Sequence, residues 1–140
     1  MPKEKPQVSI FIDNARNEIS LHERDYTPGI EYQGKLATIG GEVEDGESDE
    51  EAGIRELWDE TDYRYNKLEF VKNFFFDGYR IALMRVKDPN LNDKHFKTYE
   101  GTGKGMFFSP DELKKDDLAF NVAEMATYYY DKYYSIKLDL

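Results

Sequence analysis

"GGEVEDGESDEEAGIRELWDETDY" (residues 40–63) places eleven carboxylates between Glu42 and Asp62 against one positive charge, Arg55. Such a segment repels itself, yet it carries the signals of a packed helix. Ser48 and Glu51 form an S-x-x-E capping box, in which each side chain satisfies a backbone N–H of the first turn. Asp49, Glu50 and Glu51 also sit where the positive end of the helix dipole favours acids. The spacing therefore predicts a helix over residues 48–61.

At about 100° per residue, Ile54, Leu57, Trp58 and Thr61 share one arc, the expected buried face. Glu56, Asp59 and Glu60 share the opposite arc, flanked by the small residues Ala52 and Gly53. A solvated acidic face is the ordinary reading of such a run. Two features oppose it. Glu56 and Glu60 form a like-charge i,i+4 pair, which costs about 0.2–0.5 kcal/mol. The small flanking residues also leave space for something to approach the acids. A hard divalent cation with oxygen ligands would relieve the repulsion, and Mg²⁺ fits that description.

Outward from this helix, the chain alternates strands, turns and helices. "QVSIFID" (7–13) and "EISLHER" (18–24) read as strands joined by the turn "NARN". Residues 25–34 read as a loop, and "KLATI" (35–39) as a short strand running into Gly40-Gly41. "LEFVKNFFF" (68–76) and "YRIALMRV" (79–86) read as a hairpin across Asp77-Gly78. Residues 87–104 read as a long loop and "GMFFS" (105–109) as a strand. "SPDEL" (109–113) repeats the helix-start signature, with Ser109 as cap, Pro110 at the first helical position and Glu112 as box partner. A last helix runs from about Asn121 to Tyr134, with Val122, Ala126, Tyr129, Tyr130 and Tyr133 on one stripe. Mixed strands and helices without strict βαβ alternation predict an α/β (α+β) fold, a mixed sheet covered by helices on both faces.

At 140 residues the chain is expected to form one domain spanning 1–140. Its net charge of −10 opposes DNA binding, which draws on Lys and Arg neutralising phosphates. With no Cys, thiolate metal sites and thiol nucleophiles are excluded. The start "MPKEKPQ" has no apolar signal core and no stretch is long enough for a membrane span, so a cytoplasmic protein without membrane partners is expected.

Residues 41–63 resemble the Nudix box, G-x5-E-x7-R-E-U-x-E-E-x-G-U, where U is a bulky aliphatic residue. Gly41, Glu47, Arg55, Glu56, Leu57 and Glu60 fall in register, and Asp59 replaces a Glu conservatively. Asp62 stands where the family has Gly. Asp tolerates positive φ better than most residues, so the turn is expected to survive. Tyr63 replaces an aliphatic residue, and Ile39 stands where a Pro commonly precedes the two glycines.

The resemblance implies an α/β/α sandwich and a hydrolase that cleaves a nucleoside diphosphate linked to another moiety by water attack on phosphorus. By position it makes Glu56, Asp59 and Glu60 ligands of Mg²⁺ or Mn²⁺, with the carbonyl of Gly40 or Gly41 as a further ligand. Arg55 and Glu47 would orient that cluster. Glu60 is one candidate base; Glu100, in "YEGTGKG", is another, weighed against an exposed loop acid. Many relatives are homodimers, an arrangement the Tyr-rich end "YYYDKYY" leaves open beside plain helix packing.

Phosphates also need protein cations, and Arg24, Lys35 and Lys104 are candidates, each set against an ordinary surface charge. Tyr26, Tyr32 and Tyr79 are candidate stacking faces, with core packing favoured for Tyr79. His22 and His95 have no ligand spacing and receive no role. Three other readings stand beside the pyrophosphohydrolase. One is a Nudix-fold nucleotide-binding or regulatory module without chemistry, opposed by the three retained acids. Another is an RNA 5′-end pyrophosphohydrolase, opposed by the charge. The last is a Ca²⁺-binding or plain acidic domain, opposed by the lack of a D-x-D-x-D-G loop. The absence of Pro between Pro28 and Pro89 mildly disfavours ADP-ribose as substrate.

Overall fold

The computed structural model describes residues 5–91, 93–98 and 103–140. Its strands are β1 (Lys5–Asp13), β2 (Ile19–Glu23), β3 (Leu36–Ala37), β4 (Ile39–Glu42), β5 (Glu69–Phe76), β6 (Tyr79–Lys87), β7 (His95–Phe96) and β8 (Gly105–Phe108). Its helices are α1 (Asp49–Thr61) and α2 (Val122–Tyr134). The sheet runs in the order β5-β6-β1-β2-β8-β7, with β3 added on β2 and β4 on β1. β1 and β6 are parallel, Lys5 opposite Tyr79 through Asp13 opposite Lys87. The hairpin β5–β6 and the pairs β1–β4 and β2–β8 are antiparallel. The sheet is therefore mixed, as the patterning implied.

Alternation along β1 divides the core. Val8, Ile10 and Ile12 pack with Ala52 and Leu57 of α1. Phe11 packs on the other face with Val122, Met125, Ala126, Tyr129 and Tyr130 of α2. Each large apolar side chain buried this way contributes about 1.5–3 kcal/mol of transfer free energy. The tyrosines of α2 bury their rings and anchor their hydroxyls. Tyr129 donates to Oδ2 of the buried Asp13 at 2.6 Å and receives a hydrogen bond from Arg85 Nε at 2.9 Å. This is a packing role for the Tyr-rich end.

Five local expectations are corrected. Trp58 is not buried: it is 40% exposed, with the Arg64 guanidinium 4.1 Å from its ring centroid. The buried residues of α1 are Ala52, Gly53, Leu57 and Thr61, a stripe rotated toward the small side chains. Gly53 leaves no room for a ligand, because a Cβ there would lie 2.6 Å from Cδ1 of Leu68. It is small so that α1 can sit close on the sheet. "SPDEL" does form its capping box, but around one 3-10 turn, Pro110–Glu112. Leu113 then returns to extended backbone and buries its side chain, which stops the turn from propagating. Residues 35–39 form no single strand: β3 pairs with β2 and β4 with β1, with Thr38 at the switch. The long loop contains β7, too short to register as a pattern.

Candidate active site

Gly40 and Gly41 lie in the middle of β4, antiparallel to β1, and α1 packs against both strands. Both glycines are close-approach positions. A Cβ on Gly40 would lie 2.0 Å from the Val8 carbonyl oxygen. A Cβ on Gly41 would lie 2.5 Å from Glu56 Oε1. The carboxylate of Glu56 thus occupies the space that the missing side chain of Gly41 leaves. Glu60, one turn on, accepts a hydrogen bond from the Gly40 N–H at 3.1 Å.

Arg55 binds this assembly together. Its Nε and Nη2 donate to the two oxygens of Glu47 at 2.7 and 3.0 Å, a bidentate pair. Nη1 donates to Glu56 Oε1 at 2.9 Å, and Nη2 also reaches the Glu42 carbonyl at 3.1 Å. Asp59 Oδ2 lies 3.8 Å from Nη1. Hydrogen bonding to Arg55 holds the Glu47 carboxyl below the usual carboxylate range, and the guanidinium is pushed up in turn by Glu47. Arg55 alone thus offsets a large part of the local repulsion.

Much of the remaining acid has a structural use. Asp49 forms a bidentate pair with Arg80 at 3.0 and 3.1 Å. Glu50 accepts from the Leu68 N–H at 2.9 Å. Glu51 closes the capping box with Ser48. The ordinary reading of an acid run therefore holds for the first turn of α1. It does not account for Glu56, Asp59 and Glu60, which share one face at i, i+3 and i+4. As placed, Glu56 turns to Arg55 and Glu60 to Gly40, and among the described residues no three acid or histidine side chains are gathered as an ion-holding group. The donor set is nevertheless carboxylate and carbonyl oxygen throughout, and Gly41 leaves a carboxylate-sized gap for Glu56. Both fit a hard divalent cation.

Helix α1 ends as the box departure required. Asp62 takes the left-handed conformation, φ 63° and ψ 17°, and its N–H closes on the Trp58 carbonyl. Tyr63 lies past that turn, half-buried, with its ring 6.4 Å from that of Phe96.

A cavity of about 410 Å³ opens beside the acids. Gly40, Gly41 and Glu60 form one part of its wall; Phe76, Tyr79 and Phe120 form another. Arg24 lines it and lies 4.8 Å from the Phe120 ring centroid, its Nε donating to the Glu31 carbonyl at 3.0 Å. Tyr79 also lines it, half-buried. Tyr32 packs against Phe120 at 4.7 Å on the outer side. Lys35, Tyr26 and Lys104 are not among the lining residues. Lys35 Nζ donates to the Asp116 carbonyl. Tyr26 is 67% exposed, and the Lys104 carbonyl accepts from the Glu23 N–H at 3.0 Å. Glu100 lies outside the described residues.

Sequence reasoning missed His22, Phe120 and Asn121 as wall residues. His22 sits on β2, and burial lowers its pKa against opposing backbone hydrogen bonds at Thr38 and Glu23. Only strand pairing brings it to the cavity that Glu60 also lines. Asn121 is at the start of α2, where an Asn reads as a cap.

A family model described as the NUDIX domain matches residues 3–129. Among solved structures, the chain is similar to MutT from work on Aliivibrio salmonicida and Vibrio cholerae, with 24% identity, TM-score 0.66, and coverage of 90% of this chain and 97% of that one. It is similar to a NUDIX hydrolase from Nitrosomonas europaea, with 20% identity, TM-score 0.72, and coverage of 100% and 78%. It is also similar to the NUDIX domain of Shewanella oneidensis NrtR, solved with ADP ribose, with 12% identity, TM-score 0.73, and coverage of 94% and 90%. No helix among the described residues is long and apolar enough to cross a membrane.

Proposed function

This chain belongs to the NUDIX domain family, and on that premise we propose that it is a metal-dependent pyrophosphohydrolase of nucleotides or nucleotide derivatives. The observation that supports the reading is that Gly41 and Arg55 hold Glu56, and that Glu60, on the same helix face and bonded to the Gly40 N–H, lines the cavity with both glycines. Glu56, Asp59 and Glu60, with the Gly41 carbonyl, would hold Mg²⁺ or Mn²⁺. The bound ion supplies neutralisation of charge on non-bridging phosphate oxygens and a more acidic water.

The chain's own residues do the rest. Arg55 fixes the rotamer of Glu56 and is itself fixed by Glu47, so the acids are set before substrate arrives. Glu60 accepts the proton of the attacking water, a role for which Glu100 is the alternative. Arg24 meets substrate phosphate where the cavity leaves the acid cluster. Tyr32 extends the stacking surface at the rim, and Lys35, Lys104 and Tyr26, which do not line the cavity, serve in an outer contact. The reading includes a single domain in the cytoplasm and leaves a homodimer open to a sedimentation measurement.

The test is a nucleotide panel with Mg²⁺ or Mn²⁺ in ¹⁸O water. Phosphate or pyrophosphate release from at least one substrate is expected, abolished in Glu60→Gln, with the label showing which phosphorus is attacked. A panel that yields no turnover with either metal overturns the reading.

A further inference from the structure

β5 stands at one end of the sheet order, and among the described residues no strand pairs with its outer side. It is eight residues long. A long unpaired edge presents a row of backbone donors and acceptors to any strand that can match it, and such edges are ordinarily blunted. This one also carries two large exposed apolar side chains, Phe70 at 51% and Phe75 at 60% exposure.

The two phenylalanines lie on one side of the sheet, although strict alternation would put residues at odd spacing on opposite sides. The register shift between Phe70 and Lys72 adds one residue, Val71, and so brings them together. Phe70 stands opposite Met84, which packs with α1, and Phe75 opposite Arg80, whose guanidinium pairs with Asp49 of α1. Asn73 is on that side too: it stands opposite Ala82, and its Oδ1 accepts from Arg80 Nη1 at 3.2 Å. Asn73 is therefore a midpoint, with Phe75 two steps on and Phe70 two steps back once the bulge is passed. Its backbone also points outward. In a two-residue hairpin the residues flanking the turn, here Phe76 and Tyr79, bond to each other, so the N–H and C=O of Phe75 and Asn73 are aimed at the free edge.

We propose that a second copy of this chain docks on β5, antiparallel and strand to strand, with the twofold axis at Asn73. Phe70 of each copy then meets Phe75 of the other, one aromatic cross-strand pair on each side of the axis. Asn73 meets its own counterpart in a closely spaced, mutually hydrogen-bonded pair. Lys72 meets Phe74 and Glu69 meets Phe76, so no like charges are opposed. Other registers fail. An axis at Lys72 sets two ammonium groups against each other, and an axis at Phe74 sets Phe75 against Asn73 and leaves Phe70 opposite the turn. Bulges and lysines often keep edges apart; here each selects one register. The strand is thus complementary to itself, as an interface between identical copies requires, and that identifies the occupant as a second copy rather than a foreign strand.

Sedimentation equilibrium of the full wild-type chain is expected to show a dimer at about 100 μM, where a Kd of about 10 μM leaves most of it paired. Phe75→Glu, at a side chain exposed in the single chain, is expected to shift the species to monomer with the circular dichroism melt unchanged. The chain has no Cys, so one introduced thiol reports the axis directly. Asn73→Cys is expected to form an intermolecular disulfide on mild oxidation, because paired Cα atoms about 5.5 Å apart are within disulfide reach. Phe75→Cys puts its two thiols about 14 Å apart across the axis and is expected to form none. A wild type that stays monomeric overturns the proposal and leaves the edge to a strand of another protein. A dimer that survives Phe75→Glu, that gives no disulfide through Asn73→Cys, or that cross-links through Phe75→Cys overturns it as well, because the contact then lies elsewhere or in another register.

Discussion

Gly41 and Glu56 are complementary in volume: the Cβ that Gly41 lacks would lie 2.5 Å from Glu56 Oε1. Gly41→Ala must therefore push the Glu56 carboxylate aside, and the far end of a glutamate moves without disturbing the backbone. The fold should survive with its melting temperature nearly unchanged, while Mn²⁺ affinity falls. Calorimetric titration with Mn²⁺ checks this. An alanine variant that binds the ion as the wild type does would falsify the assignment of Glu56 as a ligand.

Gly40 predicts the opposite division. Its absent Cβ would meet the backbone oxygen of Val8 at 2.0 Å, and β1 and β4 must separate to admit it. Gly40→Ala is expected to lose about 1–3 kcal/mol of stability, the usual cost of overpacking. Urea denaturation of the two glycine variants side by side distinguishes a fold glycine from a site glycine.

Arg55 makes four hydrogen bonds to three residues, Glu42, Glu47 and Glu56. Arg55→Lys keeps the charge but loses the planar fork. Loss of such a supporting contact typically costs 10–100-fold in metal affinity or activity, and roughly that loss is expected in kcat with little change in the circular dichroism spectrum. A lysine variant of full activity would show that charge alone suffices.

Asp62 holds a left-handed conformation that its Cβ makes costly. Asp62→Gly should raise stability by up to about 1 kcal/mol, and Asp62→Val should lower it. Thermal melts of both variants decide the sign.

His22 sets a pH dependence. Burial lowers its folded pKa, so between the folded value and the ordinary value near about 6.5 the unfolded chain binds more protons. Stability is then complete above about pH 6.5 and falls as the pH drops toward the folded value. His22→Gln should flatten that part of the profile. Urea midpoints at pH 7.5 and about 5.5 test it, and equal slopes for variant and wild type would rule the effect out.

Most strands, the two main helices and the acid trio were legible because each rests on local chemistry. The capping box of Ser48 and Glu51 marks α1, Asp77-Gly78 marks the β5–β6 hairpin, and the 3.6-residue period puts Glu56, Asp59 and Glu60 on one side. The buried stripe of α1 was misread because hydrophobicity suggested Trp58, whereas close packing on the sheet selected Ala52 and Gly53. Periodicity registers an apolar side chain, but it does not register how near a neighbouring element must come.

Residue order alone therefore determined the family, the class of fold and the acids on which the proposed chemistry depends, since all of these follow from spacing within a few turns of chain. Tertiary structure decided the rest. Only the pairing of β1 with β4 sets Gly41 against Glu56 and Gly40 against Glu60. Only the meeting of β2, β4 and α2 brings His22, Arg24 and Asn121 to one cavity. Those residues are far apart along the chain, and contacts of that kind arise from how sheet and helices pack, which no local pattern encodes.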